Sequence, residues 1–175
     1  MSWTKNSIID GIMEPQYSGK LELLDRKTIA FLSSRTIATD KVMACYDWAT
    51  SLNAETDCVV SGFQSPIEQD VLHFLLKNRI PVIVVLARAM YKQIPEELEE
   101  AYNDGRVLFI SISNNKRVNK ATALIRNRYV VDLAQEVLFG MLAEKSSLND
   151  IYQYAKDISK KIITIWRNLK NYTAS

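Results

Sequence analysis

Short, continuous runs of β-branched and apolar residues alternate along this chain with longer segments of helical period. That alternation is the strongest constraint on its fold. Six runs stand out: Thr28 to Ser33, Asp57 to Ser61, Pro81 to Leu86, Arg106 to Ser111, Glu136 to Met141 and Lys161 to Trp166. Several lack polar alternation, as expected of strands covered by helices on both faces. Between them the periodicity predicts helices over about 39 to 53, 66 to 78, 95 to 103, 126 to 135 and 147 to 158. Strand and crossover helix in strict turn predict an α/β chain, a Rossmann-like, doubly wound and mainly parallel sheet of about six strands with helices on both faces. Thr39 or Asp40 suits the first helix cap, and Ser146 or Ser147 the last. Ser65, followed by Pro66 and Glu68, has the composition of a capped start with proline at the first helical position. Residues 1 to 26 read as a short N-terminal appendage packed on a core of 27 to 175.

Composition supports a globular domain and narrows the function. Of 175 residues, 47% are hydrophobic and 24% charged, enough for a real core. No segment approaches the roughly 20 apolar residues needed to span a bilayer, so the expectation is a soluble cytoplasmic protein without a membrane partner. Cys45 and Cys58 are the only cysteines. Their number and spacing suit reduced core thiols and no metal site, and no sequence feature calls for a cofactor. A net charge of +2 does not by itself announce nucleic-acid binding. Its distribution is more informative: Glu96 to Glu100 is acidic, whereas Lys116 to Arg128 holds five basic residues and no acid.

In an open sheet, ligands bind beyond the carboxyl ends of the strands, at the point where crossovers diverge. With the usual order 3-2-1-4-5-6, that point lies between the first and fourth runs. The loops leaving them are Ser33-Ser34-Arg35-Thr36 and Ser113-Asn114-Asn115-Lys116-Arg117. Exposed amides, hydroxyls and a guanidinium fork suit a phosphate. Ser61-Gly62 ends the second run, where a glycine lets the backbone approach a ligand near a helix N-terminus. In Arg126-Asn127-Arg128, two arginines two positions apart cannot share a helical face. One is expected to point at the ligand, and the other to anchor the turn by pairing with Asp132 or Glu136.

Four segments, in order, resemble a known family: the Rossmann-like domain of DNA processing protein A (DprA, also called Smf) and its wider nucleotide-sensing, SLOG-type superfamily. They are the lead-in Pro15 to Leu24, the strand and turn Ile29 to Arg35, the strand and turn Val59 to Gly62, and Ile125-Arg126-Asn127-Arg128. The resemblance covers about 15 to 150. It implies a domain that binds single-stranded DNA through backbone phosphates, forms a homodimer and loads a recombinase. Carried onto this sequence, the phosphate-binding residues are Ser33, Ser34, Arg35, Ser61, Gly62, Lys116, Arg117, Arg126, Asn127 and Arg128. There are departures. Ser33 replaces the family's usual glycine, Phe63 to Glu68 replaces Ala-Arg-Gly-Ile-Asp, His73 is out of register with a family histidine, and no accessory winged-helix or sterile-alpha-motif-like domain is read.

Three functions follow as alternatives. The first is a DNA-binding module without catalysis, with Phe63 or Tyr91 available to stack on bases. The second is a free-nucleotide sensor or nucleoside-monophosphate N-glycosidase-like enzyme, in which Glu68 would be the general acid or base; its alternative role is to stabilise a helix N-terminus. The Gly-Gly-x-Gly-Thr motif of those hydrolases is absent. The third is an interaction subunit with a decayed site.

Overall fold

The computed structural model describes residues 12–35 and 39–165. All six apolar runs form strands, and a seventh joins them. The strands are β1 (Ile12–Gly19), β2 (Lys27–Leu32), β3 (Asp57–Ser61), β4 (Val82–Leu86), β5 (Val107–Ser113), β6 (Glu136–Phe139) and β7 (Lys161–Thr164). The helices are α1 (Thr39–Thr50), α2 (Pro66–Lys77), α3 (Glu96–Asn103), α4 (Lys120–Leu133) and α5 (Leu148–Asp157).

Strand residues alternate between two cores, which explains why several runs lack polar alternation. Ile29, Phe31, Val59, Val82, Val84, Val107 and Phe109 face α1, α2 and α3, meeting Cys45, Ala49, Ile67, Val71, Leu75, Leu98 and Ala101. Their neighbours Ala30, Leu32, Val60, Ile83, Val85, Leu108 and Val137 face α4 and α5, meeting Val130, Val131, Leu148, Ile151 and Ala155. A strand with a period of two and both faces covered has to be apolar throughout.

The spatial order is β1-β5-β4-β3-β2-β6-β7, parallel except for β1. The expected strand order needs correction. The crossovers through α1, α2 and α3 carry the chain outward from β2 to β5. The crossover through α4 then returns it across the opposite face to lay β6 beside β2. Crossovers therefore diverge between β2 and β6, the first and fifth apolar runs, not the first and fourth. Double-sided burial dictates which runs are strands, but it is blind to the order in which they lie.

The segment ahead of β2 packs against the edge of the sheet. It supplies an edge strand, β1, antiparallel to β5 and interrupted by a register shift between Ile12 and Gln16. An edge tolerates Pro15, which cannot donate to a ladder. At Gly19 the backbone turns at φ 122°, and a Cβ there would lie 2.3 Å from the Val107 carbonyl oxygen. Gly19→Ala is therefore expected to lower stability in urea by about 1–3 kcal/mol. An unchanged midpoint would show that this β1–β5 corner contributes nothing.

Candidate functional site

The seam between β2 and β6 continues beyond the strand ends. The Gly140 amide donates to the Leu32 carbonyl at 2.9 Å and the Ser34 amide to the Met141 carbonyl at 3.0 Å. Ser34 Oγ in turn accepts from the Ala143 amide at 3.0 Å. Gly140 is needed for this close approach, since a Cβ would lie 3.0 Å from both Ser33 Oγ and Cys45 Sγ. Ser33 and Ser34 are buried. The amides expected to cradle a phosphate are thus engaged internally, and what the turn presents outward is Arg35, which is exposed. Thr36 lies outside the described residues.

The second wall is the turn from β3 into α2. Ser61 Oγ accepts from the Phe63 amide at 3.1 Å, and Phe63 takes up a left-handed φ of 50°. That turn drives its ring into the core, where it is 4% exposed. Phe63 is therefore no platform for a base. Ser65 caps α2 as its sequence suggested, in a reciprocal box with Glu68. The Glu68 carboxylate reaches further than a cap requires: Oε2 accepts from the Ser33 amide at 3.0 Å, and Oε1 from the Gln64 and Ser65 amides at 3.0 and 3.3 Å. Burial pushes the Glu68 pKa up, against these N–H groups and the Arg126 charge, which pull it down.

The third wall is α4, which begins at Lys120 rather than near residue 126 because Asn119 and Thr122 form a second capping box. Arg126 is thereby placed mid-helix and only 6% exposed. It crosses over Gly62, where a Cβ would come within 2.5 Å of its Nε. Its Nε and one terminal nitrogen donate to Asn127 Oδ1, both at 3.3 Å, and burial lowers its pKa, with Glu68 opposing. Arg128 diverges from it, as two-residue spacing requires. The expected anchor to Asp132 or Glu136 is replaced: Arg128 lies 5.0 Å above the Tyr154 ring, while Asp132 accepts from the Tyr154 hydroxyl at 2.6 Å. Glu136 instead pairs with Lys27 and Lys161 at 3.7 and 3.2 Å.

These walls enclose a cleft of about 440 Å³ at the β2–β6 divergence. Ser33, Ser34, Arg35, Glu68, Arg126 and Asn127 line it, as do Lys145, Ser146 and Ser147 from the loop after β6. Ser61, Gly62, Lys116, Arg117 and Arg128 do not. Lys116 and Arg117 are exposed on the loop after β5, which is tied to the loop after β4 by the Ala89 amide donating to the Asn115 carbonyl at 2.8 Å. Lys145 was missed because the divergence was placed one run too early; the same rule applied after the fifth run selects its loop. Tyr91 packs edge-on to Phe109 under Arg88, and His73 is exposed on α2. Cys45 and Cys58 are free and buried, with burial pushing both thiols up to about 12. Among the described residues, no group of three His, Cys, Asp or Glu could hold a metal ion.

The family model for DNA recombination-mediator protein A matches residues 14–174. The chain belongs to that family. A comparison with curated proteins found no match. Among solved structures, DprA from Streptococcus pneumoniae is similar at a TM-score of 0.71 and 19% identity, over 86% of this chain and 54% of that one. DprA from Helicobacter pylori, described for its single-stranded DNA binding mode, is similar at 0.70 and 18%, over 86% and 70%. A molybdenum cofactor binding protein from Rippkaea orientalis is similar at 0.58 and 11%, over 79% and 76%. At these identities the structural likenesses establish the Rossmann-like fold. The chain spans about half the length of the Streptococcus pneumoniae protein.

Within this DprA-family domain, the contact between Gly62 and Arg126 yields a direct test. Gly62→Ala is expected to destabilise by about 1–3 kcal/mol in urea, and by clearly less in an Arg126→Ala background, because removing the guanidinium removes the clash. Equal costs in both backgrounds would show that the two residues do not meet.

Proposed function

We propose that this domain binds single-stranded DNA through its backbone phosphates at the carboxyl end of the sheet, as a non-catalytic module of recombination-mediator type. The observation that carries the reading is the charge of the cleft. Arg35, Arg126 and Lys145 line it, and Glu68, the one acid among its described lining residues, is committed to three backbone amides. Lys116 and Arg117 add exposed positive charge on the loop after β5, three strands along the same edge from β2. Among the described residues no aromatic side chain lines the cleft, which favours contacts to phosphate over contacts to bases. The commitment of both Glu68 oxygens also argues against its service as a general acid or base, so binding ranks ahead of N-glycoside cleavage. The Helicobacter pylori relative's description supports the choice of single-stranded DNA.

Kinship supports three further parts of the proposal: a homodimer, a recombinase partner and a cytoplasmic location. No described helix is long and apolar enough to cross a membrane.

Fluorescence anisotropy of labelled oligo-dT and oligo-dA tests the reading. Wild type is expected to bind both within a few-fold, with affinity falling steeply in salt. Arg35→Ala/Lys145→Ala should weaken binding and flatten the slope of log K against log salt by about 1.4, roughly 0.7 for each lost phosphate contact. Unchanged affinity and slope in that variant would overturn the site. Release of a free base from nucleoside monophosphates would overturn the non-catalytic part.

A further inference from the structure

The floor of the cleft is already filled by a carboxyl group of the protein. Ser33, leaving β2, and Gln64 and Ser65, leading into α2, aim three amide N–H groups at one carboxylate at 3.0, 3.0 and 3.3 Å. Amides from a strand-end turn and a helix N-terminus converging on a negative group are the arrangement by which open α/β sheets cradle a phosphate. Here the group they cradle is Glu68, which is 5% exposed. A second observation marks the same floor as anion-directed. Arg126, only 6% exposed, also lines the cleft, and among the described residues its only hydrogen bonds run from Nε and Nη2 to the neutral Asn127 amide.

We infer that Glu68 is a resident anion that fills the phosphate cradle and so excludes inorganic phosphate and mononucleotides from it. The inference rests on the phosphate-binding reading above and gives that site its specificity. A free phosphate entering the cleft meets a carboxylate where the amides would otherwise receive it, and is left with single side-chain contacts to Arg126, Arg35 or Lys145. A polymer engages several of these cations at once, each later contact being intramolecular, and does not need the amides. Glu68 is then a positioning and specificity residue. It holds Ser33 and the α2 turn in place and sets the ligand class to internal phosphodiesters rather than terminal phosphates.

Thermal unfolding of the full chain tests this directly. Glu68→Ala opens the cradle and should lower the Tm. Sodium phosphate or acetate, against chloride at matched ionic strength, should then raise the Tm of that variant by about 4 °C or more. Wild type and the space-filling Glu68→Gln should not respond. Equilibrium dialysis with thymidine monophosphate should show at least tenfold tighter binding to Glu68→Ala than to wild type. A folded Glu68→Ala insensitive to both anions, or a wild type stabilised as much as the variant, would overturn the inference. Should Glu68→Ala fail to fold in any anion, wild type decides: oligo-dT with and without a 5′-phosphate should bind within twofold, and a tenfold preference for the phosphorylated strand would refute exclusion. Anion rescue of Glu68→Ala together with a wild type that binds no oligonucleotide would support the resident anion and remove the DNA reading.

Discussion

One buried carboxylate organises this site. A charged group taken out of water is costly unless its lone pairs are used, and Glu68 uses both oxygens on amides from two separate turns. Because these donors belong to the chain leaving β2 and the chain entering α2, the carboxylate fixes the distance between two adjacent strand ends. The Ser33-Ser34 turn is held from its other side by the Met141 carbonyl and the Ala143 amide. With backbone tethers on both flanks, the turn has little freedom beyond the direction in which Arg35 projects.

The cleft itself is a product of topology. Where crossovers leave adjacent strands on opposite faces, no helix covers the gap between the strand ends. Here that gap opens between β2 and β6, bordered by the first half of α4 on one side and the start of α5 on the other. Arg126 lies in it because the Asn119 cap starts α4 six residues before the arginine signature, putting that signature in the helix interior. Gly62 is the complementary feature on β3: the guanidinium passes where a Cβ would be, so the glycine's absent side chain is part of the arginine's seat.

Much of this was legible in the chain, for reasons that also explain what was not. The central parallel strands β2 to β6 announce themselves because both faces are almost wholly buried, and β7 by its apolar run; β1 does not, being an edge strand with exposed Glu14, Gln16 and Tyr17 among half-covered residues. The Ser65-Pro66-Glu68 start was readable because a capping box is local. The bond from Glu68 to Ser33 was not, since 35 residues separate them and only strand order brings them together. The same ignorance of order sent the site to the loop of Lys116 and Arg117 and passed over Lys145. Ser33 in place of glycine, which sequence alone sets against a phosphate site, has a structural sense: its amide serves Glu68, so close approach of a ligand there is not required.

The state of Arg126 supports the proposed phosphate reading of the cleft despite a net charge of only +2. A buried arginine held by a carboxylate within ion-pair distance would be largely neutralised and would offer a ligand little. Among the described ion pairs Arg126 has no such partner; its bonds go to the neutral amide of Asn127. Glu68 is near enough to be felt through space, yet its oxygens are turned toward backbone N–H groups. The guanidinium is therefore oriented by neutral contacts and by Gly62 while its charge stays uncompensated at close range. In a low-dielectric recess, that combination strengthens attraction for an arriving phosphate more than additional exposed lysines would.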